Sequence, residues 1–204
     1  MEKDFGQLAS EESINKTKEA LEKNGITVLV VESGAEAKEK ALSLIPQGAE
    51  IMNMSSVTVD SIGLAKELNE PGKYNSVRGK FATMDKKTQG LEMQKLGAAP
   101  EYTVGSVHAV TEDGKVIVAS ATGSQLPSYA AGSPHVIWVV GSQKIVENFD
   151  QGILRIEEYV FPLENERALK AYGMGSSINK ILILNKEVVP GRITMIIVRE
   201  KLGF

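Results

Sequence analysis

The 204-residue chain contains no cysteine and only two histidines, His108 and His135. The first absence excludes disulfides, thiolate zinc sites, a cysteine nucleophile and any iron–sulfur cluster held by this chain itself. The second argues against a histidine-rich metal site; carboxylates would remain as magnesium ligands, and no metal or cofactor is expected. Long apolar runs are missing too. The longest, Val136 to Val140 and Ile193 to Val198, fall far short of the roughly 20 residues that span a bilayer. The start, Met1-Glu2-Lys3-Asp4-Phe5, lacks the basic and apolar regions of a secretory signal, so a cytoplasmic location is expected. The net charge of −3 is spread without a block of one sign. That distribution argues against a nucleic-acid surface and leaves a small molecule as the expected partner.

A hydrophobic content of 42% is ample for a substantial core in one folded unit, residues 1–204. Leu8, Ile14, Ala20 and Leu21 among charges predict an amphipathic helix over about 7–24, packed on a sheet, with Ser10 as a capping signal. Ile26 to Val31 reads as a strand covered on both faces. A helix over Ala35 to Leu44 and a short strand at Glu50 to Met52 complete a βαβ unit. Asp85 to Leu96 predicts a charged helix that covers the sheet or meets a partner. Strands follow at Val104 to Val110, Val116 to Ala121 and Val136 to Val140, with Glu112-Asp113-Gly114 turning a hairpin around 104–121. Helices over Asp150 to Tyr159 and Ala168 to Tyr172 precede closing strands at Ile181 to Leu184 and Ile193 to Val198. The expected fold is an open, mostly parallel Rossmann-like α/β sheet with helices on both faces.

In such sheets ligands bind outside the carboxyl ends of the strands, where this chain places its polar loops. Asn53, Ser55, Ser56 and Thr58 lie between a strand and a helix, where backbone amides favour an anion; the serines and Thr58 could equally serve as helix caps. Thr122-Gly123-Ser124-Gln125 offers hydroxyls and flexible backbone to a phosphate or carboxylate, without the lysine and spacing of a P-loop. Gly105 precedes the hairpin. Lys144 stands at a strand exit as an anion partner, with Arg155, Arg167 and Arg192 as further cations, each also explicable by ion pairing. Glu112 at the sheet rim reads first, on composition alone, as a solvated turn residue, and would also suit a nucleophile, a general base or a ligand for an amine or metal. His108 alternates with apolar neighbours and reads as structural.

The string Gly105-Ser106-Val107-His108-Ala109-Val110-Thr111-Glu112-Asp113-Gly114, with Ala119 to Gln125, His135-Val136-Ile137 and Val140 to Val146, resembles the LUD domain of the LutC/YkgG type, the lactate-utilisation family. Asn53 to Thr58 followed by Ile62-Gly63-Leu64 is similar to that family's strand–loop–helix segment. Pro162 to Ala168, Ser177 to Lys180 and Pro190 to Ile193 extend the likeness over roughly 10–204. The resemblance implies a NagB/RpiA/CoA-transferase-like fold, a small anionic metabolite as ligand, and a part in lactate or organic-acid utilisation beside separate iron–sulfur subunits. It raises Glu112 as a catalytic candidate, because its turn looks like the glutamate-bearing loop of the wider group. Three readings stand together: a metabolite-binding protein, a transferase or isomerase using Glu112 with Lys144 or Arg192, and a non-catalytic subunit. A homodimer is left open.

Overall fold

The computed structural model describes residues 4–204. Helix α1 (Glu11–Lys23) begins where Ser10 Oγ accepts the Ser13 N–H at 3.2 Å, and it buries Ile14, Thr17 and Leu21 along one face. It stops at Gly25, whose φ of 86° is the left-handed conformation that favours glycine. Strand β1 (Thr27–Val31), helix α2 (Gly34–Ser43) and strand β2 (Glu50–Asn53) form the expected βαβ unit. Short helices α3 (Val57–Ser61) and α4 (Leu64–Leu68), the two-residue strand β3 (Asn75–Ser76), and helices α5 (Val77–Ala82) and α6 (Lys86–Ala98) fill the segment before β4 (Tyr102–Gly105).

The chain then leaves the central sheet. Strands β5 (Ala109–Thr111) and β6 (Val116–Ser120) make an antiparallel hairpin, β7 (His135–Gly141) returns to the centre, and β8 (Ile145–Val146) rejoins the hairpin. Helices α7 (Phe149–Arg155) and α8 (Phe161–Tyr172) are fused by a π-helical turn over Ile156–Val160. Strands β9 (Lys180–Leu184) and β10 (Ile193–Val198) complete the fold. Among the described residues no helix is long and apolar enough to cross a membrane.

Two sheets result. The six-stranded sheet has the order β1-β10-β7-β4-β2-β3 and is parallel throughout; the smaller one runs β8-β5-β6-β9. Alternation along β7 shows how they pack. Val136, Trp138 and Val140 join a core shared with Val110, Val116 and Val118 of the second sheet, whereas Ile137 and Val139 face Ala37 and Ala41 of α2 and Leu64 of α4. With a side-chain period of two, a buried strand must serve two cores, which is why it reads as a continuous apolar run.

Three expectations are corrected. The hairpin spans 109–120, and Val104 and Gly105 belong to the parallel sheet beside β7 and β2. Ile181 to Leu184 does not close the main sheet but edges the second one, against β6. The helices expected over Asp150 to Tyr159 and Ala168 to Tyr172 are one continuous helical run from Phe149 to Tyr172.

Candidate functional site

Strands β7, β4 and β2 are parallel neighbours, so their carboxyl ends emerge side by side. Each delivers a polar loop to the same place: Asn53 to Thr58 after β2, Ser106 to His108 after β4, and the 3₁₀ turn Ser142–Lys144 after β7. The loop after β6 and the α7–α8 run close the other side. Together they enclose a cleft of about 920 Å³ between the two sheets, large enough for a metabolite many times the size of lactate.

Lys144 lies at its inner wall, only 2% exposed. Its Nζ donates to Thr58 Oγ1 at 2.9 Å, Ser106 Oγ at 3.1 Å and Val107 O at 3.2 Å. No carboxylate pairs with it among the described residues. Burial, reinforced by the positive charge of Arg155, pushes the ammonium from its ordinary 10.5 down to about 7. Arg155 is itself fully buried behind the cleft, donating through Nε to Gln143 O and through Nη1 to His108 O, while Nη2 has no acceptor. Burial lowers it to about 10.

His108 is half-buried and contributes to the lining. Its Nδ1 accepts the Ala119 N–H at 3.1 Å, so the neutral ring carries its proton on Nε2. Burial first, then the charges of Lys144 and Arg155, holds its pKa down to about 3, and the ring is neutral at ordinary pH. The structural reading of this histidine therefore describes one nitrogen only; the ring also reaches the cleft.

Arg78 of α5 supplies another lining cation. Its Nε donates to Asn53 O at 2.7 Å and its Nη2 to Ser55 Oγ at 2.8 Å. Lys66 and Arg167 are further lining cations, against Asp60 and Glu164 as acids. Arg167 is already satisfied by a bidentate pair with Glu164 at 2.7 Å for each bond.

Of the sequence candidates, Asn53, Ser55, Ser56, Thr58, Thr122, Ser124, Gln125 and Lys144 all line the cleft. Several also hold the local backbone. Ser56 Oγ caps α3 by accepting the Val59 N–H at 3.4 Å. Gln125 closes its loop, accepting from Ser120 Oγ at 2.9 Å and donating to Ala119 O at 3.3 Å. Gly105 and Gly123 stand behind the wall. A Cβ on Gly105 would lie 1.9 Å from Tyr129 Oη, and Gly123 turns its loop with φ 85°.

Two candidates are elsewhere. Glu112 accepts from Ser13 Oγ at 2.7 Å and from Lys16 Nζ at 2.8 Å, which fastens the hairpin turn to α1 outside the cleft lining. Arg192 is a buried tie: its guanidinium donates to the carbonyls of Ser133, Ser128 and Tyr129 at 2.9–3.0 Å and pairs with Glu187 at 2.6 Å. Reasoning from sequence missed Arg78 and Ser106 as lining residues. A strand-exit position marks Ser106; Arg78 also follows a strand of the parallel sheet, β3, but that strand is only two residues long, and nothing local marks the arginine in the sequence. Among the described residues, no three His, Asp or Glu side chains gather as a metal-holding group.

A family model for the LUD domain matches residues 14–198. Against curated proteins the chain finds no match. Among solved structures it is similar to a DUF162 family protein from Deinococcus radiodurans, at 12% identity and a TM-score of 0.57, over 94% of this chain and 99% of that one. At that identity the likeness speaks for the architecture, an open α/β sheet, and the family match, which covers nearly the whole chain, speaks for kinship. The chain belongs to the LUD domain family.

Proposed function

We propose that the protein binds a small anionic metabolite, a carboxylate or a phosphate, in the cleft between its two sheets. The observation that carries this reading is the buried Arg155 cation behind the wall, beside Lys144 in the wall, whose ammonium form burial opposes; neither has a carboxylate partner among the described residues. A buried charge without its counterion is costly, and an anionic ligand supplies the counterion. Arg78, held by Asn53 and Ser55, offers a second anchor. The likeness to the lactate-utilisation family supports an organic acid as ligand and a role in organic-acid metabolism. A transferase or isomerase mechanism built on Glu112 has less support, because that carboxylate faces Ser13 and Lys16.

The test is a thermal-shift titration with L-lactate, pyruvate, inorganic phosphate and ribose 5-phosphate on the wild type, Arg78→Gln and Lys144→Met. A ligand binding only the native state at about a hundredfold excess over its Kd raises Tm by roughly 5 °C or more. That shift in the wild type, reduced in both variants, is the expected result. Silence from all four anions overturns the reading.

A further inference from the structure

We propose that Lys144 is a nucleophilic amine that condenses reversibly with the carbonyl group of a 2-oxo acid bound in the cleft. The proposal rests on the anion-binding reading and assigns its ligand a reactive class. It begins with the three partners of Nζ, which are not equivalent. Thr58 Oγ1 spends its own hydrogen on Leu202 O at 3.1 Å, so toward Lys144 it can only accept. Val107 O can only accept. Ser106 Oγ is the partner able to turn its proton either way, because its one other contact, to Val107 O, is a stretched 3.5 Å. A neutral amine has two N–H donors and one lone pair. The two fixed acceptors take the two donors, and the lone pair is left on the side of Ser106, itself a half-buried residue of the cleft wall.

The surroundings favour the neutral amine, since burial and Arg155 oppose its protonation. A desolvated lysine next to another cation is a recognised way to free an amine for attack on carbonyls. The carboxylate of a 2-oxo acid then falls to Arg78, whose Nη1 makes no hydrogen bond among the described residues. Lys144 grips Thr58 and Arg78 grips Ser55. These residues are three apart where the loop after β2 enters α3, so their Cα atoms are separated by no more than about 11 Å.

The chemistry balances without a redox partner. The Nζ lone pair bonds to the carbonyl carbon and the C=O π pair moves to oxygen. A proton passes from nitrogen to that oxygen, and Ser106 is placed to relay it. The carbinolamine nitrogen then pushes out the hydroxyl, which takes a proton from solvent and leaves as water, and a protonated imine remains.

The experiment incubates the whole purified protein with pyruvate, and separately with glyoxylate, near neutral pH in the presence of sodium cyanoborohydride, then locates the modified lysine by peptide mass spectrometry. The expected product on Lys144 is a secondary amine, heavier by the 2-oxo acid less one oxygen. It should accumulate at least about tenfold above the level at any exposed lysine, because a far larger fraction of Lys144 is unprotonated. Inorganic phosphate should protect it. No adduct, or adducts shared among surface lysines, overturns the proposal. Thermal stabilisation by pyruvate or another of the four anions without trapping overturns the imine while leaving anion binding intact; no trapping together with silence from all four anions removes both.

Discussion

Thr58 Oγ1 stands 2.9 Å from Lys144 Nζ and passes its own hydrogen to Leu202 O at 3.1 Å, so a buried lysine, a loop after β2 and the C-terminal residues are fixed at one point. Gln143 strengthens the same junction by donating to Leu202 O at 2.9 Å. Thr58→Val keeps the shape and removes the oxygen. It should cost about 1–3 kcal/mol in urea denaturation, the penalty for an unmet buried polar group, whereas Thr58→Ser should lie within about 1 kcal/mol of wild type. Equal stability of the valine variant would show that the lysine does not need this partner.

Lys144 should also mark the stability curve. Its pKa in the fold is about 7 against an ordinary 10.5, with burial the main cause and Arg155 the next. Between those values the unfolded chain holds a proton that the folded chain has released. Stability therefore rises with pH across that window, by at most about 1.4 kcal/mol per pH unit from this group, and the full penalty persists below pH 7. Urea denaturation of wild type and Lys144→Met at pH 7 and pH 9 checks it: the wild type should gain on the variant as pH rises, and parallel curves would refute the shift.

Gly105 has a packing reason rather than a ligand. A Cβ there would meet Tyr129 Oη at 1.9 Å and the Met54 Cβ at 3.3 Å. Gly105→Ala should destabilise by about 1–3 kcal/mol through overpacking. Combining it with Tyr129→Phe, which removes the obstructing oxygen, should recover part of that loss, so that the two costs are not additive.

Arg192 and Glu112 should separate stability from binding. Arg192→Met strands the Glu187 charge and three carbonyl acceptors, a loss of about 3–5 kcal/mol. Glu112→Gln weakens an ion pair whose lysine is largely exposed and should change stability by no more than about 1 kcal/mol. Any anion that stabilises the wild type should shift the Tm of Glu112→Gln by the same amount, measured in one titration. Loss of that shift would return Glu112 to the site.

The legible parts of this molecule are those decided by local pattern. β1, β7 and β10 show in the sequence because strands buried on both faces are apolar without alternation, and Ser10 announces α1 because a cap acts over three residues. The strand-end rule then gathers Asn53, Ser55, Thr58, Thr122 and Lys144 correctly. It fails where long-range partners decide. Ser13 and Glu112 are 99 positions apart, and Arg192 meets Ser128 from 64 positions away. An arginine buried among carbonyls is written like one at the surface. The second sheet was hidden for the same reason: Val116–Ser120 is buried at every position, as a strand of either sheet would be. Pro162 lies directly after the π-helical turn over Ile156–Val160 and the helical run continues past it, so the two expected helices are joined rather than separated.

Trp138 is the chain's single tryptophan. It sits fully buried in β7 with its ring 5.3 Å from that of Tyr129 in an edge-on arrangement, and Tyr129 reaches the cleft wall. Intrinsic fluorescence excited at the indole therefore arises from one emitter at the joint of the two sheets. Its colour and intensity report unfolding without averaging over sites, and a ligand pressing on Tyr129 would be read optically by a probe the molecule already carries.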